Sequence, residues 1–251
     1  MEDKIIGRNP VAEALRAGRE IEKILVKKGG YEGSIVPIIK KAKDRGIIIQ
    51  EVEKQKLDKI AEHGSHQGII AFAAVHEYAT VQEILAGCRE RGKAPFLIIC
   101  DKITDPHNLG SILRTANCAG ADGVIIPKRG GVGLNAVVAK TSAGAVEYTP
   151  VARVANIAQT IDWLKEQNVW TACADMAGTS MYQTDLTGAI ALVIGSEGAG
   201  VSRLVREKCD FTVQIPMFGE INSLNASVAA AVLMYEVTRQ NQIKNSEKGR
   251  I

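Results

Sequence analysis

Phe96-Leu-Ile-Ile-Cys100 is apolar at five consecutive positions. A strand with one wet face alternates apolar and polar residues. A continuous run belongs instead to a strand covered on both faces, as in a parallel sheet flanked by helices. Parallel strands need crossovers, and the sequence beyond residue 100 supplies them. Helical spacing at 109–119, 135–143, 157–167 and 202–208 is interleaved with strand-like runs at 123–127, 147–151, 169–174, 190–194 and 211–215. The order βαβαβαββαβα predicts an α/β fold with a mainly parallel sheet and helices on both faces.

The first 75 residues show the same alternation on a smaller scale. Helices are expected at 10–17, 35–45 and 54–62, and strands at 24–26, 47–52 and 68–75. This predicts a small α/β domain over 1–75 and a larger one over 95–239. Residues 76–94 are charged toward their end and interrupted by Gly92, just before Pro95, which marks a linker, although Val81, Ile84 and Leu85 are spaced for a short helix. The polar residues 240–251 are expected to fray. Residues 1–75 hold 14 Lys+Arg against 11 Asp+Glu, whereas 95–239 hold 11 against 13. The smaller domain is thus the one with the charge to meet phosphates.

Several function classes fall away. No apolar run reaches the roughly 18 residues that span a bilayer, and the start lacks a secretory layout, so a cytoplasmic protein is expected. Five scattered cysteines without a CxxC pair point to reduced thiols rather than a disulfide framework. His63 and His66 have no partners at metal spacing, so no metal site is expected.

Three polar clusters stand at carboxyl ends of expected strands, where open α/β sheets place ligands. The first is Thr104-Asp-Pro-His-Asn-Leu-Gly-Ser-Ile-Leu-Arg114, in which Asn108 is positioned to cap a helix and Arg114 interrupts an apolar run. The second, Gly195-Ser-Glu-Gly-Ala-Gly-Val201, has the spacing G-x-x-G-x-G, which fits neither a dinucleotide fold nor a P-loop. Its glycines allow close backbone approach, and Glu197 suits an amine, a hydroxyl or a guanidinium rather than a phosphate. In the third, Ile215 to Asn225, Pro216 ends a strand, and Asn222, Ser223 and Asn225 gather where a helix begins. They cap that helix or serve a ligand. Residues 226–237 are apolar on almost every side, which predicts a buried helix.

Taken together the three clusters resemble, in order, the motifs of the SpoU (TrmH) family of RNA ribose 2′-O-methyltransferases, within the SPOUT superfamily. Residues 1–75, with Ile6-Gly-Arg-Asn-Pro-Val-Ala-Glu-Ala-Leu15 and His66-Gln-Gly-Ile-Ile70, are similar to the L30e-like substrate-binding domain of the branch that methylates guanosine in large-subunit (23S) rRNA. The resemblance implies a C-terminal α/β-knot, a deep trefoil knot, with S-adenosylmethionine bound in it. It also implies a homodimer joined through the knot domain and an rRNA substrate, with tRNA as the rival. Carried over by motif, Gly195, Ile215, Met217, Leu224 and Asn225 contact the cofactor. Asn108, Arg114, Glu197, Ser223 and Asn225 form the polar active site. Arg114 is the family's proposed base, but a guanidinium with a pKa above about 12 is suited to hold a phosphate and stabilise a developing alkoxide. A non-catalytic RNA-binding module would have no use for intact polar residues in all three motifs.

Overall fold

The computed structural model describes residues 3–29, 33–62, 64–73 and 76–248. Two compact units divide between Glu77 and Tyr78, with Leu134–Ala136 grouped with the first. The first comprises β1 (Asp3–Ile6), α1 (Arg8–Arg16), β2 (Ile21–Lys27), α2 (Ile35–Asp44), β3 (Ile48–Val52), α3 (Lys54–Ala61) and β4 (Ile69–Ala73). Its sheet has the order β1-β4-β2-β3. Since β4 is antiparallel to β1 and β2, and β2 is parallel to β3, strands β1, β2 and β3 all run one way. Their carboxyl ends, and the starts of the helices that follow them, therefore share one edge. Ile35, Ile38, Ile39 and Ala42 are the buried face of α2, matching their helical spacing. Strand β1 was not anticipated, because Asp3-Lys4-Ile5-Ile6 is short and half charged.

The second unit contains α4 (Val81–Glu90), β5 (Phe96–Asp101), α5 (Pro106–Cys118), β6 (Gly123–Pro127), α6 (Ala136–Thr141), β7 (Val151–Val154), α7 (Ile157–Glu166), β8 (Trp170–Ser180), β9 (Ile190–Gly195), α8 (Arg203–Lys208), β10 (Phe211–Gln214) and α9 (Ala226–Lys248). The strand order is β10-β8-β9-β5-β6-β7, and every neighbouring pair is parallel. Strand β5 lies inside the sheet with all six residues buried, as its unbroken apolar run requires.

Four sequence expectations need correction. The segment expected as a linker, 76–94, contains α4, opened by a Thr80/Glu83 capping box. Val81, Ile84 and Leu85 enter the core with Leu97, Ile99 and Ile125. The cations that follow are anchored, since Arg91 and Lys93 each bond the buried Asp122 Oδ1 at 3.1 Å. Residues 145–147 form a 3₁₀ turn, and the strand expected from 147 begins only at Val151. Pro150 has no N–H to donate, although its carbonyl accepts from Val124.

Residues 240–248 continue α9 instead of fraying, and 249–251 lie outside the described residues. The Gln240 side chain accepts from Leu186 N–H at 2.8 Å and donates to Thr184 O at 3.0 Å, and Asn241 Oδ1 accepts from Gly188 N–H at 3.1 Å. Helix α9 is not buried on all sides either. Ala226, Ala230, Leu233, Met234 and Val237 face the core, while Val228 and Tyr235 are 47% and 53% exposed. Among the described residues no helix is long and apolar enough to cross a membrane.

Candidate active site

Helix α5 starts earlier than its sequence suggested. Asp105, not Asn108, is the N-cap: its Oδ1 accepts from His107 N–H at 3.0 Å, and Pro106 takes the first helical position. Asn108 is therefore carried inside the first turn, buried, with its amide free of capping duty. Helix α9 has its cap where expected. Asn225 Oδ1 accepts from Ser227 N–H at 2.9 Å, Val228 N–H at 3.3 Å and the Ser227 hydroxyl at 2.6 Å.

The other end of the Asn225 amide faces a different task. Its Nδ2 donates to Asn108 Oδ1 at 3.0 Å and to Glu197 Oε1. Asn108 Nδ2 donates to the same Glu197 oxygen at 3.0 Å. Residues 108, 197 and 225, far apart in sequence, thus close a triangle of polar side chains. Glu197 Oε1 accepts from both amides, while Oε2 makes no hydrogen bond among the described residues.

Glu197 is placed by the turn that follows β9. There Ser196 and Gly200 exchange backbone hydrogen bonds of 3.2 and 2.9 Å, folding the loop back on the strand end. A Cβ on Gly195 would sit 2.0 Å from the Gly200 carbonyl carbon, so only glycine fits. The far end of the loop is tied to β5, where the buried Asp101 accepts from Ser202 N–H at 2.7 Å.

Beside the triangle lies a cavity of about 900 Å³. Gly195, Glu197, Ile215, Met217, Ser223, Leu224 and Asn225 all line it, as do Asp175 and Met176. Sequence reasoning missed the last two because β8 was expected to stop at residue 174. It runs on to Ser180 beside β10, with an irregular register at Thr212/Val213. The available signal was Gly178, where a Cβ would come within 2.7 Å of the Thr212 carbonyl. Asp175 is held by Arg206 at 3.1 Å.

Two expected site residues stand differently. Ser223 lines the cavity without joining the triangle. Arg114 is not on the cavity wall at all; it is exposed and makes no hydrogen bond or ion pair among the described residues. Helix geometry accounts for this, since six residues beyond Asn108 is about 9 Å along the axis and about 120° around it.

Among the described residues, the charged side chains lining the cavity are Asp175 and Glu197, and no Lys or Arg lines it. A phosphate-bearing cofactor would find no cation there, whereas a ligand carrying positive charge in an otherwise apolar frame is accommodated. The sulfonium and ammonium of S-adenosylmethionine meet that requirement, and the volume falls within the range of small-molecule sites. The thiol of Cys100, under the site on β5, is pushed up to about 12 by burial and by Asp101, which leaves it without a nucleophile's role. Among the described residues no group of three or more His, Cys, Asp and Glu is placed to hold a metal. His63 lies outside the described residues.

Residues 95–235 match the profile of the SpoU rRNA Methylase family, and residues 4–79 match that described as RNA 2′-O ribose methyltransferase substrate binding. A Bacillus subtilis (strain 168) protein named YacO, of the TrmH family of tRNA/rRNA methyltransferases, is 46% identical over 239 residues, covering 95% of this chain and 96% of its own length. A Staphylococcus aureus (strain MSSA476) protein of the same naming is 50% identical over 242 residues, covering 96% and 97%. Among solved structures, the SpoU methyltransferase AviRb from Streptomyces viridochromogenes, in complex with AdoMet, superposes with a TM-score of 0.61. It is 24% identical, and the match covers 97% of this chain and 91% of AviRb. The fold is thus the expected one, a C-terminal α/β-knot unit that follows a small α/β unit in sequence.

Proposed function

The chain belongs to the SpoU family of S-adenosylmethionine-dependent RNA methyltransferases, and we propose that it methylates the ribose 2′-hydroxyl of a guanosine in large-subunit rRNA, in the cytoplasm and as a homodimer. The observation that carries this reading is the Asn108–Glu197–Asn225 triangle at the edge of a cavity without cations. A ribose hydroxyl is a poor nucleophile until it is oriented and its developing charge is met. When bound, S-adenosylmethionine supplies an electrophilic methyl group on its sulfonium, open to in-line displacement.

The chain's own residues do the rest. The two asparagine amides fix the Glu197 carboxylate through Oε1, leaving Oε2 to accept a hydrogen bond from the ribose hydroxyl, align its oxygen and take up its proton as the methyl group is transferred. Ser223, on the same wall, offers a second polar contact to the sugar. Arg114, permanently charged and exposed on α5, takes a phosphate of the bound RNA. The half-exposed Val228 and Tyr235 on α9 support association through the second unit, because burying them removes apolar surface from water.

The choice of rRNA rests on the family whose profile matches residues 95–235 and on the substrate-binding unit before it. Methylation of tRNA is the second reading, favoured by the relatives, whose names pair the two RNAs. Mapping 2′-O-methylated nucleotides in total RNA from cells with and without the gene decides between them. Loss of one 2′-O-methylguanosine from large-subunit rRNA is the expected result; loss confined to a tRNA overturns the choice of substrate.

A further inference from the structure

We propose that the carboxyl edge of β5 and β6 carries the RNA strand beside the target nucleotide, with Lys102, Lys128 and Arg129 taking its phosphodiesters. The inference rests on the reading of the chain as an RNA methyltransferase and deepens it by fixing the side from which substrate meets the triangle. None of the three residues belongs to the clusters that carry the family resemblance.

The pattern of ion pairs singles this edge out. Residues 95–239 hold 11 Lys+Arg. Lys165, Arg203, Arg206, Lys208 and Arg239 each meet a carboxylate, and Arg153 lies over the Tyr78 ring at 5.3 Å. The other five, Lys102, Arg114, Lys128, Arg129 and Lys140, make no ion pair among the described residues. All five are exposed, and all fall between residues 102 and 140. The acids of that stretch are Asp105 and Asp122, and both are engaged. Asp105 caps α5, and Asp122 is bonded by Arg91 and Lys93. A unit that is slightly acidic as a whole thus keeps its uncompensated positive charge on one segment.

Strand register sets three of these cations next to the triangle. Asp101 pairs with Gly195, and Ile99 pairs with Ile125. Carried past the strand ends, the same register puts Ser196, Lys102 and Lys128 side by side on β9, β5 and β6. Neighbouring strands lie about 4.8 Å apart, so Lys128 is about 10 Å from Ser196, the residue before Glu197. Lysine and arginine side chains are long enough to cover that gap.

The cofactor cavity occupies the other half of the edge. Its lining comes from β8, β9, β10, the start of α9 and their loops, and no residue from 96–141 contributes. Charge divides the same way: Asp175 and Glu197 stand on the cavity wall, while β5 and β6 end in cations. The triangle marks the boundary, since Asn108 comes from α5, and Glu197 and Asn225 from the cavity side. A sulfonium on the acidic half and a phosphodiester strand on the basic half therefore meet at Glu197. An acidic protein surface would match the same cations but would bring no sugar hydroxyl to Glu197.

The backbone beneath these cations is held in place. Lys102 sits in the left-handed region at φ +58°, which a non-glycine residue adopts only when its surroundings enforce it. Lys128 N–H donates to Val154 O at 2.7 Å, and its carbonyl accepts from Arg153 Nη2 at 3.3 Å. Val132 N–H donates to Ile103 O at 2.8 Å, and a Cβ on Gly131 would come within 2.9 Å of the Pro127 ring. The two loops are tied to each other and to β7, with their charged ends left in solvent. Such contacts position a strand without reading its sequence.

The test compares two double variants of the full chain: Lys128→Ala/Arg129→Ala at the edge, and Arg203→Ala/Lys208→Ala on α8, where both cations are ion-paired. Each removes two positive charges. Transfer from labelled S-adenosylmethionine to ribosomal RNA gives KM and kcat. Anisotropy with a fluorescent single-stranded RNA oligonucleotide across a salt series gives the slope of log K against log[salt]. Circular dichroism checks folding, and Lys128→Gln/Arg129→Gln serves if the alanine pair misfolds. The edge pair is expected to raise KM for RNA about tenfold, with kcat and cofactor affinity within about twofold of wild type. Its salt slope should be shallower by about 1.4, for two lost phosphate contacts. The control pair should change KM less than about twofold. Equal weakening by both pairs, unchanged RNA binding by the edge pair, or a loss confined to kcat overturns the proposal. If the protein transfers no methyl to any RNA and the edge pair still weakens binding selectively, the enzymatic reading fails and the phosphate contacts stand. If transfer is intact and the edge pair behaves like the control, the phosphate contacts alone fail.

Discussion

Asn225 does two jobs through opposite ends of one amide, and two substitutions separate them. Its oxygen caps α9, whereas its nitrogen donates to Asn108 and Glu197. Asn225→Ser keeps a capping oxygen about as good as the original but loses both donated bonds. Asn225→Ala loses the cap as well. The bond to Asn108 leaves a buried carbonyl oxygen without its partner, which costs about 1 kcal/mol; the bond to the exposed Glu197 is largely replaced by water and by the remaining Asn108 amide. The missing cap adds about another 1 kcal/mol in the alanine variant. The serine protein should therefore be less stable than wild type by about 1 kcal/mol and the alanine protein by about 2, measured by urea unfolding.

Methyl transfer should behave differently from stability. If the triangle orients Glu197, both variants lose the same rate factor, about tenfold for each 1.4 kcal/mol of orientation removed. The assay is transfer from labelled S-adenosylmethionine to RNA, with cofactor saturating. A serine variant that transfers methyl at the wild-type rate refutes the orienting role. Equal destabilisation by serine and alanine refutes the cap.

Four further outcomes are expected. Gly195→Ala places a Cβ 2.0 Å from the Gly200 carbonyl carbon, so the loop must shift, and calorimetry should show cofactor affinity reduced about tenfold or more; native affinity would contradict the packing argument. Arg114→Ala should lower turnover about 10²–10³-fold, the scale of losing one charge-stabilising donor, and full turnover would remove Arg114 from the reaction. Arg114→Lys should retain part of the rate without a new pH–rate limb near neutrality, since such a limb reports proton abstraction instead. Glu236 is buried, with its pKa held below the ordinary carboxylate value by hydrogen bonds from Arg239 and then Gln240, against the opposing effect of burial. Its stabilisation is complete above the unfolded pKa and is lost as pH falls through the lower folded pKa. Glu236→Gln should thus cost about 1.5–3 kcal/mol at neutral pH, with the difference from wild type vanishing in acid; a pH-independent difference would contradict this.

Much of the fold could be read from the sequence because its strongest signals are local. The unbroken run of β5 and the glycine stops after its helices fix element type without tertiary information. Where reading failed, a long-range partner decided the outcome. The charges at 91 and 93 looked solvated until Asp122 supplied their counter-charge, and the polar end of α9 looked frayed until Leu186 and Gly188 supplied donors. The cap of α5 went to Asp105 over Asn108 because Pro106 fits a first turn. Gly195, Glu197, Ile215, Met217, Ser223, Leu224 and Asn225, named from the second and third motifs, line the cavity. Asp175 was not named, since the only local sign that β8 continues beyond residue 174 is Gly178, whose meaning depends on its close approach to Thr212. The placement of Arg114 away from the cavity follows from helix geometry alone once α5 is fixed.

The central claim is that the start of α9, joined to Glu197 and Asn108, directs a methyl group to a ribose oxygen. It is tested most directly by incubating the purified protein with methyl-labelled S-adenosylmethionine and ribosomal RNA, digesting the product to nucleosides and locating the label. The account predicts label in 2′-O-methylguanosine, lost together in Glu197→Gln and Asn225→Ser. Label on a nucleobase, or full ribose labelling by both variants, would contradict it.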